Sequence, residues 1–228
     1  MKKLTVILFL LTSFQGLSQR GEQKNALFTI RGNVGIPKIV SSKMFRTSFA
    51  GIYEANLSVN VRLFSNAYFG VGYQNTQFQN NKFLTQQTYN NGTIVVSYNT
   101  RLLCHGLFLK LGYDKFFSEK KGYFSYSINA GYLLSGYNNV NSDTSYYNQP
   151  YPSKKIRALY IQPEVSANFI VDEKMSFSLM LGYTSLFNRF DARAPRFNQF
   201  QEIRTVSNKY LMAWLNFGVG FNVLINKK

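Results

Sequence analysis

The sequence predicts an all-β fold, a single eight-stranded antiparallel up-and-down transmembrane β-barrel. Three observations predict it. Apolar and polar side chains alternate with period two through eight runs. The connections between the runs alternate between short and long. The charged residues well inside the runs sit on the face opposite the Leu, Val, Ile, Phe and Tyr side chains.

Composition points the same way. The 228 residues suffice for one barrel domain. There are 21 Phe and 16 Tyr but one Trp and one Cys, and 16% of the residues are charged, against roughly 25% in soluble globular chains. Mean hydropathy is nevertheless only −0.17, as expected where apolar residues alternate with small polar ones. Residues 1–18 read as a cleaved secretory signal peptide, with a basic start at Lys2 and Lys3, an apolar stretch from Thr5 to Leu11, and small residues Gly16 and Ser18 before the cut. That stretch is too short to span about 30 Å of hydrocarbon. No Cys stands near the cleavage point, so a lipid anchor is not expected. Residues 19–228 form the barrel domain. Its single Cys104 allows no internal disulfide, and no later run approaches the length of an apolar helix that could cross a membrane.

The runs follow in order. Phe28, Ile30, Gly32, Val34 and Ile36 alternate with Thr29, Arg31, Asn33 and Gly35. Ala55, Leu57, Val59, Val61 and Leu63 alternate with Glu54, Asn56, Ser58, Asn60 and Arg62. After a tight turn at Ser65 and Asn66, Phe69, Val71 and Tyr73 oppose Tyr68, Gly70, Gly72 and Gln74. The fourth run sets Leu107, Leu109, Leu111 and Tyr113 against Phe108, Lys110, Gly112 and Asp114. The fifth sets Phe124, Tyr126, Ile128, Ala130, Tyr132 and Leu134 against Ser125, Ser127, Asn129 and Gly131. The sixth sets Leu159, Ile161, Val165, Ala167 and Phe169 against Tyr160, Gln162, Glu164, Ser166 and Asn168. The seventh sets Phe177, Leu179, Leu181 and Tyr183 against Ser176, Ser178, Gly182 and Thr184. The last sets Leu211, Ala213, Leu215, Phe217, Val219, Phe221 and Val223 against Trp214, Asn216, Gly218, Gly220 and Asn222.

Short turns at 65–66, 118–121 and 172–174 contrast with long polar connections at 37–49, 138–155 and 190–208. This is the asymmetry of periplasmic turns and extracellular loops, and it puts both termini on the turn side. Residues 79–106 hold a further run, Ile94, Val96 and Tyr98, whose parity is opposite to that of Leu107–Tyr113. A ninth strand would leave an odd count. The expected solution is a tall hairpin turning at Asn90-Asn91-Gly92, with a bulge near Leu103–His105 absorbing the parity shift.

Arg31, Glu54, Arg62, Lys110, Asp114 and Glu164 all fall on the polar face. A lipid bilayer requires this, since an Arg or Lys facing lipid at the midplane costs about 2–4 kcal/mol. Lys115 and Arg157 break the pattern near strand ends, where that cost falls to about 0–1 kcal/mol and long side chains can snorkel. The alternative is a two-sheet sandwich that buries the apolar face. It is disfavoured because the polar face has almost none of the Lys and Glu that solvated strands use. Aromatic residues gather near strand ends and suggest two interfacial girdles: Phe64, Tyr68, Phe69, Phe116, Phe117, Tyr123, Phe124 and Phe169 on the turn side, and Phe49, Tyr53, Tyr137, Tyr160 and Phe187 on the loop side.

In these features the chain resembles the small bacterial outer-membrane barrels of the OmpA- and OmpX-like type. The segment Leu159-Tyr160-Ile161-Gln162-Pro163-Glu164-Val165 also resembles the PorT-like branch. The last run, ending Phe221-Asn222-Val223-Leu224-Ile225, is similar to the terminal signal read by the barrel-assembly machinery, from which it departs by trailing Asn226, Lys227 and Lys228. The resemblance covers roughly residues 25–225 and implies the outer membrane of a Gram-negative bacterium, with the lipid bilayer as surroundings. No motif in it carries over an activity.

No catalytic, cofactor-binding or metal-binding site is expected. His105 is the only histidine and stands beside the lone Cys104, which reads as a loop or bulge pair. A zinc site needs about four ligands, and neither a Ser–His–acid set nor a phosphate-binding glycine loop appears. The polar-face charges read as a structural plug or as a channel lining, and an eight-stranded interior is just wide enough for side chains to fill. Arg31 is expected to find a carboxylate, with Glu54 placed to face it across the first hairpin.

The whole chain carries +16, and loss of Lys2 and Lys3 with the leader leaves +14. Basic residues crowd the long connections: Lys38, Lys43, Arg46, Lys154, Lys155, Arg157, Arg189, Arg193, Arg196 and Arg204, with Lys209 beyond them. Such residues pair well with phosphate, so lipopolysaccharide is an expected contact. Nucleic acid would also attract this charge, but a secretion signal and lipid-facing strands argue against it. The leading expectation is a non-enzymatic structural or interaction protein. The alternatives are an accessory subunit of an outer-membrane secretion or uptake complex, and a surface adhesin.

Overall fold

The computed structural model describes residues 26–64, 66–81, 86–89, 92–95, 99–117, 122–139, 155–172, 174–192, 194–195, 197, 203, 206 and 209–226. The signal peptide expected over residues 1–18 lies outside them. Eight long strands form a closed antiparallel barrel. They are β1 (Ala26–Ile39), β2 (Phe49–Phe64), β3 (Ala67–Asn80), β6 (Thr100–Phe116), β7 (Gly122–Asn139), β8 (Ile156–Ile170), β9 (Met175–Arg189) and β10 (Leu211–Asn226), with β1 pairing both β2 and β10. A small separate hairpin, β4 (Gln86–Tyr89) and β5 (Gly92–Val95), stands between β3 and β6. The pairing Tyr89↔Gly92 brackets the expected Asn-Gly turn, whose Asn90 and Asn91 lie outside the described residues.

The alternation works because successive strand side chains point to opposite faces. Along β6, Leu107, Leu109 and Leu111 are 69%, 55% and 59% exposed on the outer wall, while Lys110 and Asp114 turn inward at 2% and 5%. The same division holds on β7 to β10, where Ile128, Leu159, Leu181 and Phe217 are exposed and Asn129, Gln162, Thr184 and Asn216 are buried. An apolar wall on this scale far exceeds the few hundred Å² that a water-soluble monomer tolerates. Inside, bulky rings sit over glycines of neighbouring strands. The rings of Phe108 and Tyr68 occupy the places where Cβ atoms on Gly72 and Gly112 would stand.

The expected bulge at Leu103–His105 is absent. β6 pairs with β3 from Arg101 to Tyr113, and with β7 from Thr100 to Phe116, without a register shift. The parity conflict vanishes because Ile94 belongs to the separate β4–β5 hairpin, while Val96 and Tyr98 lie outside the described residues. A register shift occurs instead in β2, where Gly51 pairs with Phe78 and Tyr53 with Gln77, leaving Ile52 as the extra residue. A bulge re-aims the side chains beyond it, and Phe49 accordingly turns into the barrel.

The strands run 14 to 18 residues, beyond the roughly 9–11 needed to cross a bilayer at a tilt. The surplus carries a second structural layer at the loop end. There the first long connection folds into α1 (Lys43–Ser48). The Ser42 side chain caps α1 by accepting from the Phe45 backbone N–H at 3.3 Å. Asn81, just past β3, closes its other end. The Asn81 side-chain amide donates to the Thr47 carbonyl at 2.8 Å, and its backbone N–H donates to the Ser48 carbonyl at 3.0 Å. Phe45 is thereby driven down into the barrel mouth.

Candidate functional site

The barrel interior falls into two regions. Towards the turns it is polar. Arg31 on β1 reaches across to β6, where its Nη2 donates to Asp114 Oδ2 at 2.7 Å, while its Nη1 donates to Ser125 Oγ at 2.9 Å. The Ser125 hydroxyl donates to the other Asp114 oxygen. The guanidinium lies 4.0 Å from the Tyr68 ring centroid, a cation–π contact. On β10, opposite Arg31, the Asn222 side-chain amide gathers Asn168 at 2.7 Å, Ser176 at 3.0 Å and the Tyr123 hydroxyl at 3.2 Å.

Lys110 on β6 forms a second buried ion pair, its Nζ 2.9 Å from Glu164 Oε1 on β8. The Asn129 amide donates to Glu164 at 3.5 Å and to Gln162 Oε1 at 2.9 Å. Gln162 in turn donates to Glu54 Oε1 at 2.7 Å. Glu54 is the hub. It also accepts from Trp214 Nε1 at 2.6 Å, Asn216 at 2.9 Å, Asn56 at 3.2 Å and the Thr76 hydroxyl at 3.4 Å. An ionised carboxylate is purely an acceptor, so a shell made only of donors suits it. Among the described residues no cation forms an ion pair with Glu54.

Towards the loops the lumen is apolar and aromatic. Trp214 stands at the boundary. Its indole N–H serves Glu54, and its ring meets Phe78 edge-on with centroids 5.1 Å apart. Phe78 meets Phe45 at 5.2 Å, Phe45 meets Phe190 at 5.3 Å, and Phe49 meets Phe197 at 5.3 Å. Leu102, Cys104, Leu133, Leu186, Ile203 and Met212 belong to the same core. A short loop helix and parts of the β9–β10 connection thus fill the mouth.

Arg31 and Glu54 do not face each other, contrary to the sequence expectation. Arg31 pairs across β2 with Ser58, and Glu54 lies opposite Gly35. Asp114, which pairs with Arg31, is 83 residues away, and Gln162, Trp214 and Asn216, which donate to Glu54, are 108 to 162 residues away, beyond the reach of adjacent-strand reasoning. Arg62 is half-buried and joins none of the hydrogen bonds formed among the described residues. The expected aromatic girdles also need correction. Tyr68, Tyr123, Phe49, Tyr137 and Tyr160 point into the lumen, whereas Phe169 and Phe187 are on the outer wall. Closeness to a strand end does not determine the face, and the Ile52 bulge inverted it for Phe49.

Of the basic loop residues, Lys38, Lys43, Arg46, Lys155, Arg157 and Arg189 are exposed at the loop end, as is Lys209. Lys154, Arg193, Arg196 and Arg204 lie outside the described residues. No group of three or more potential metal-ligating side chains forms among the described residues. The inward aromatic core was missed by the sequence reading, although Phe78, Leu102, Leu133 and Met212 all share the parity of the polar face. That break from small polar residues to bulky apolar ones was the available signal.

The chain is similar in structure to Neisserial surface protein A, at 13% identity and a TM-score of 0.48, covering 87% of this chain and 97% of that one. It is similar also to a major outer membrane protein from Thermus thermophilus, at 11% identity and a TM-score of 0.49, with 86% and 98% covered. A third similar structure is the outer membrane protein OprG from Pseudomonas aeruginosa, at 12% identity and a TM-score of 0.46, with 88% and 96% covered. No family model matches the chain. No curated protein matches it either.

Proposed function

We propose that this protein is a non-enzymatic barrel of a Gram-negative outer membrane, acting through its outer wall and loop end rather than by passing solutes. The observation that carries this reading is the filled interior. Two ion pairs, the Glu54 hub and the aromatic core occupy successive levels of the lumen. The apolar wall suits hydrocarbon, and the exposed cations at the loop end suit the phosphates of lipopolysaccharide, to which Arg and Lys make charge-assisted hydrogen bonds.

The test has two parts. Single barrels in planar bilayers should show no steady porin-like conductance, and a steady conductance would overturn the plugged reading. Affinity capture from outer membranes in mild detergent should bring down lipopolysaccharide. Recovery of a stoichiometric protein partner in its place would move the assignment to a subunit of a secretion or uptake complex.

A further inference from the structure

The lone histidine sits on the outer wall. Because β6 runs unbroken through Cys104 and His105, the cysteine turns in and the histidine turns out. Side chains of β3 converge on His105. The Tyr73 hydroxyl lies 2.5 Å from its Nδ1, with the two rings stacked at 6.1 Å between centroids. The Asn75 side-chain amide lies 3.1 Å from the same Nδ1 and 3.5 Å from the Tyr73 oxygen. Asn75 is itself oriented by Tyr53 on β2, whose hydroxyl donates to Asn75 Oδ1 at 2.8 Å. The Asn75 amide can only donate to Nδ1, and with Nδ1 as acceptor the Tyr73 hydroxyl donates to it as well. A ring nitrogen that accepts carries no proton, so the neutral ring holds its proton on Nε2. Among the described residues no protein group bonds Nε2.

The surface around this cluster is graded. On one side lie Val71, Leu107 and Leu109, exposed and apolar. On the other, the β3–β6 ladder continues through Leu103↔Gln77 to Arg101↔Gln79, where Arg101 is half-buried, its Nε shielded and without a hydrogen-bond partner among the described residues. The strip thus passes from apolar surface, through the His105 imidazole with the Asn75 and Gln77 amides beside it, to the Arg101 guanidinium beyond Leu103. A phosphorylated glycolipid has the same order of groups: acyl chains, carbonyl oxygens at the junction, then phosphate. On β8 and β9 the outer wall also reaches a guanidinium, at Arg157 and Arg189, but no imidazole stands between it and the apolar surface of Leu159, Ile161, Leu179 and Leu181.

We propose that the outer strip of β2, β3 and β6 seats one phosphorylated glycolipid of the outer leaflet. His105 Nε2–H donates to an oxygen at the junction of acyl chain and headgroup, and Arg101 pairs with a phosphate. Tyr53, Tyr73 and Asn75 are positioning residues that hold the imidazole in the donor tautomer. The inference rests on the reading of the wall as lipid-facing and of lipopolysaccharide as its contact.

The test uses the mature protein in nanodiscs of phosphatidylethanolamine with added lipid A, scored by native mass spectrometry and by nitrogen NMR of the histidine ring. The expected result is a proton on Nε2 and retained lipid A. The H105A/R101A variant should lower that retention by about tenfold, the effect of losing about 1.4 kcal/mol of binding. Phe187→Ala on the far wall should leave it unchanged, and Tyr73→Phe should release the tautomer preference. A proton on Nδ1, or full lipid A retention by H105A/R101A, overturns the proposal. If retention instead falls only on replacing Lys155, Arg157 and Arg189, the strip is overturned while the lipopolysaccharide reading stands. Wild-type protein that retains no lipid A overturns both.

Discussion

The two halves of the lumen solve one problem with opposite chemistry. Near the turns, charged side chains and a set of amides and hydroxyls fill the bore through directional bonds, among them Arg31–Asp114 and Lys110–Glu164. Near the loops, Phe45, Phe49, Phe78, Phe190 and Phe197 fill it by packing. The walls explain the difference. Turn-side strands face one another across a narrow bore, where polar groups can meet partners from the opposite wall. At the loop end a helix and a long connection fold inward and bring their own apolar side chains. A buried polar network has value only when its members are satisfied, whereas an aromatic core tolerates imperfect angles. Trp214 belongs to both halves and couples them.

This contrast can be tested by substitutions of decreasing effect. Arg31→Ala leaves the Asp114 carboxylate buried without its cation and should cost about 3–5 kcal/mol of stability, read as a lowered urea midpoint for unfolding from lipid vesicles. Removing Asp114 as well should restore part of the loss, as expected for coupled partners. Phe45→Ala should cost about 3 kcal/mol, at the low end for a buried Phe, because a six-residue loop helix can settle into the space. Its effect should appear first as faster amide exchange at the loop end, with the amides around Arg31 unchanged. Equal acceleration in both halves would show that they open as one unit.

Trp214→Phe keeps a ring against Phe78 but removes the hydrogen bond to Glu54 and part of the buried ring volume, so it should cost at least about 2 kcal/mol, the range for a bond to a charged group plus a cavity term. A loss far above that would mean that the Glu54 hub collapses when one donor leaves. The smallest effect expected is from Tyr68→Leu, about 1 kcal/mol for the cation–π contact with Arg31, measured by the same unfolding experiment. No change there would place Arg31 stability wholly in its bonds to Asp114 and Ser125.

Strand identity, the face of each strand and the closed count of eight followed from local chemistry. Period-two alternation is a property of neighbouring residues, and it placed Leu107, Lys110, Glu164 and Asn216 on the correct sides. Tertiary structure decided which partners met. The barrel curls distant strands onto one another, so Glu54 finds Trp214 and Arg31 finds Asp114 at separations that no sequence pattern encodes. It also decided the mouth. The extra residue at Ile52 inverts the alternation before it, and the capping of α1 by Ser42 and Asn81 sends Phe45 inward. These outcomes depend on register and on chain segments folding back, and a linear alternation carries no information about either.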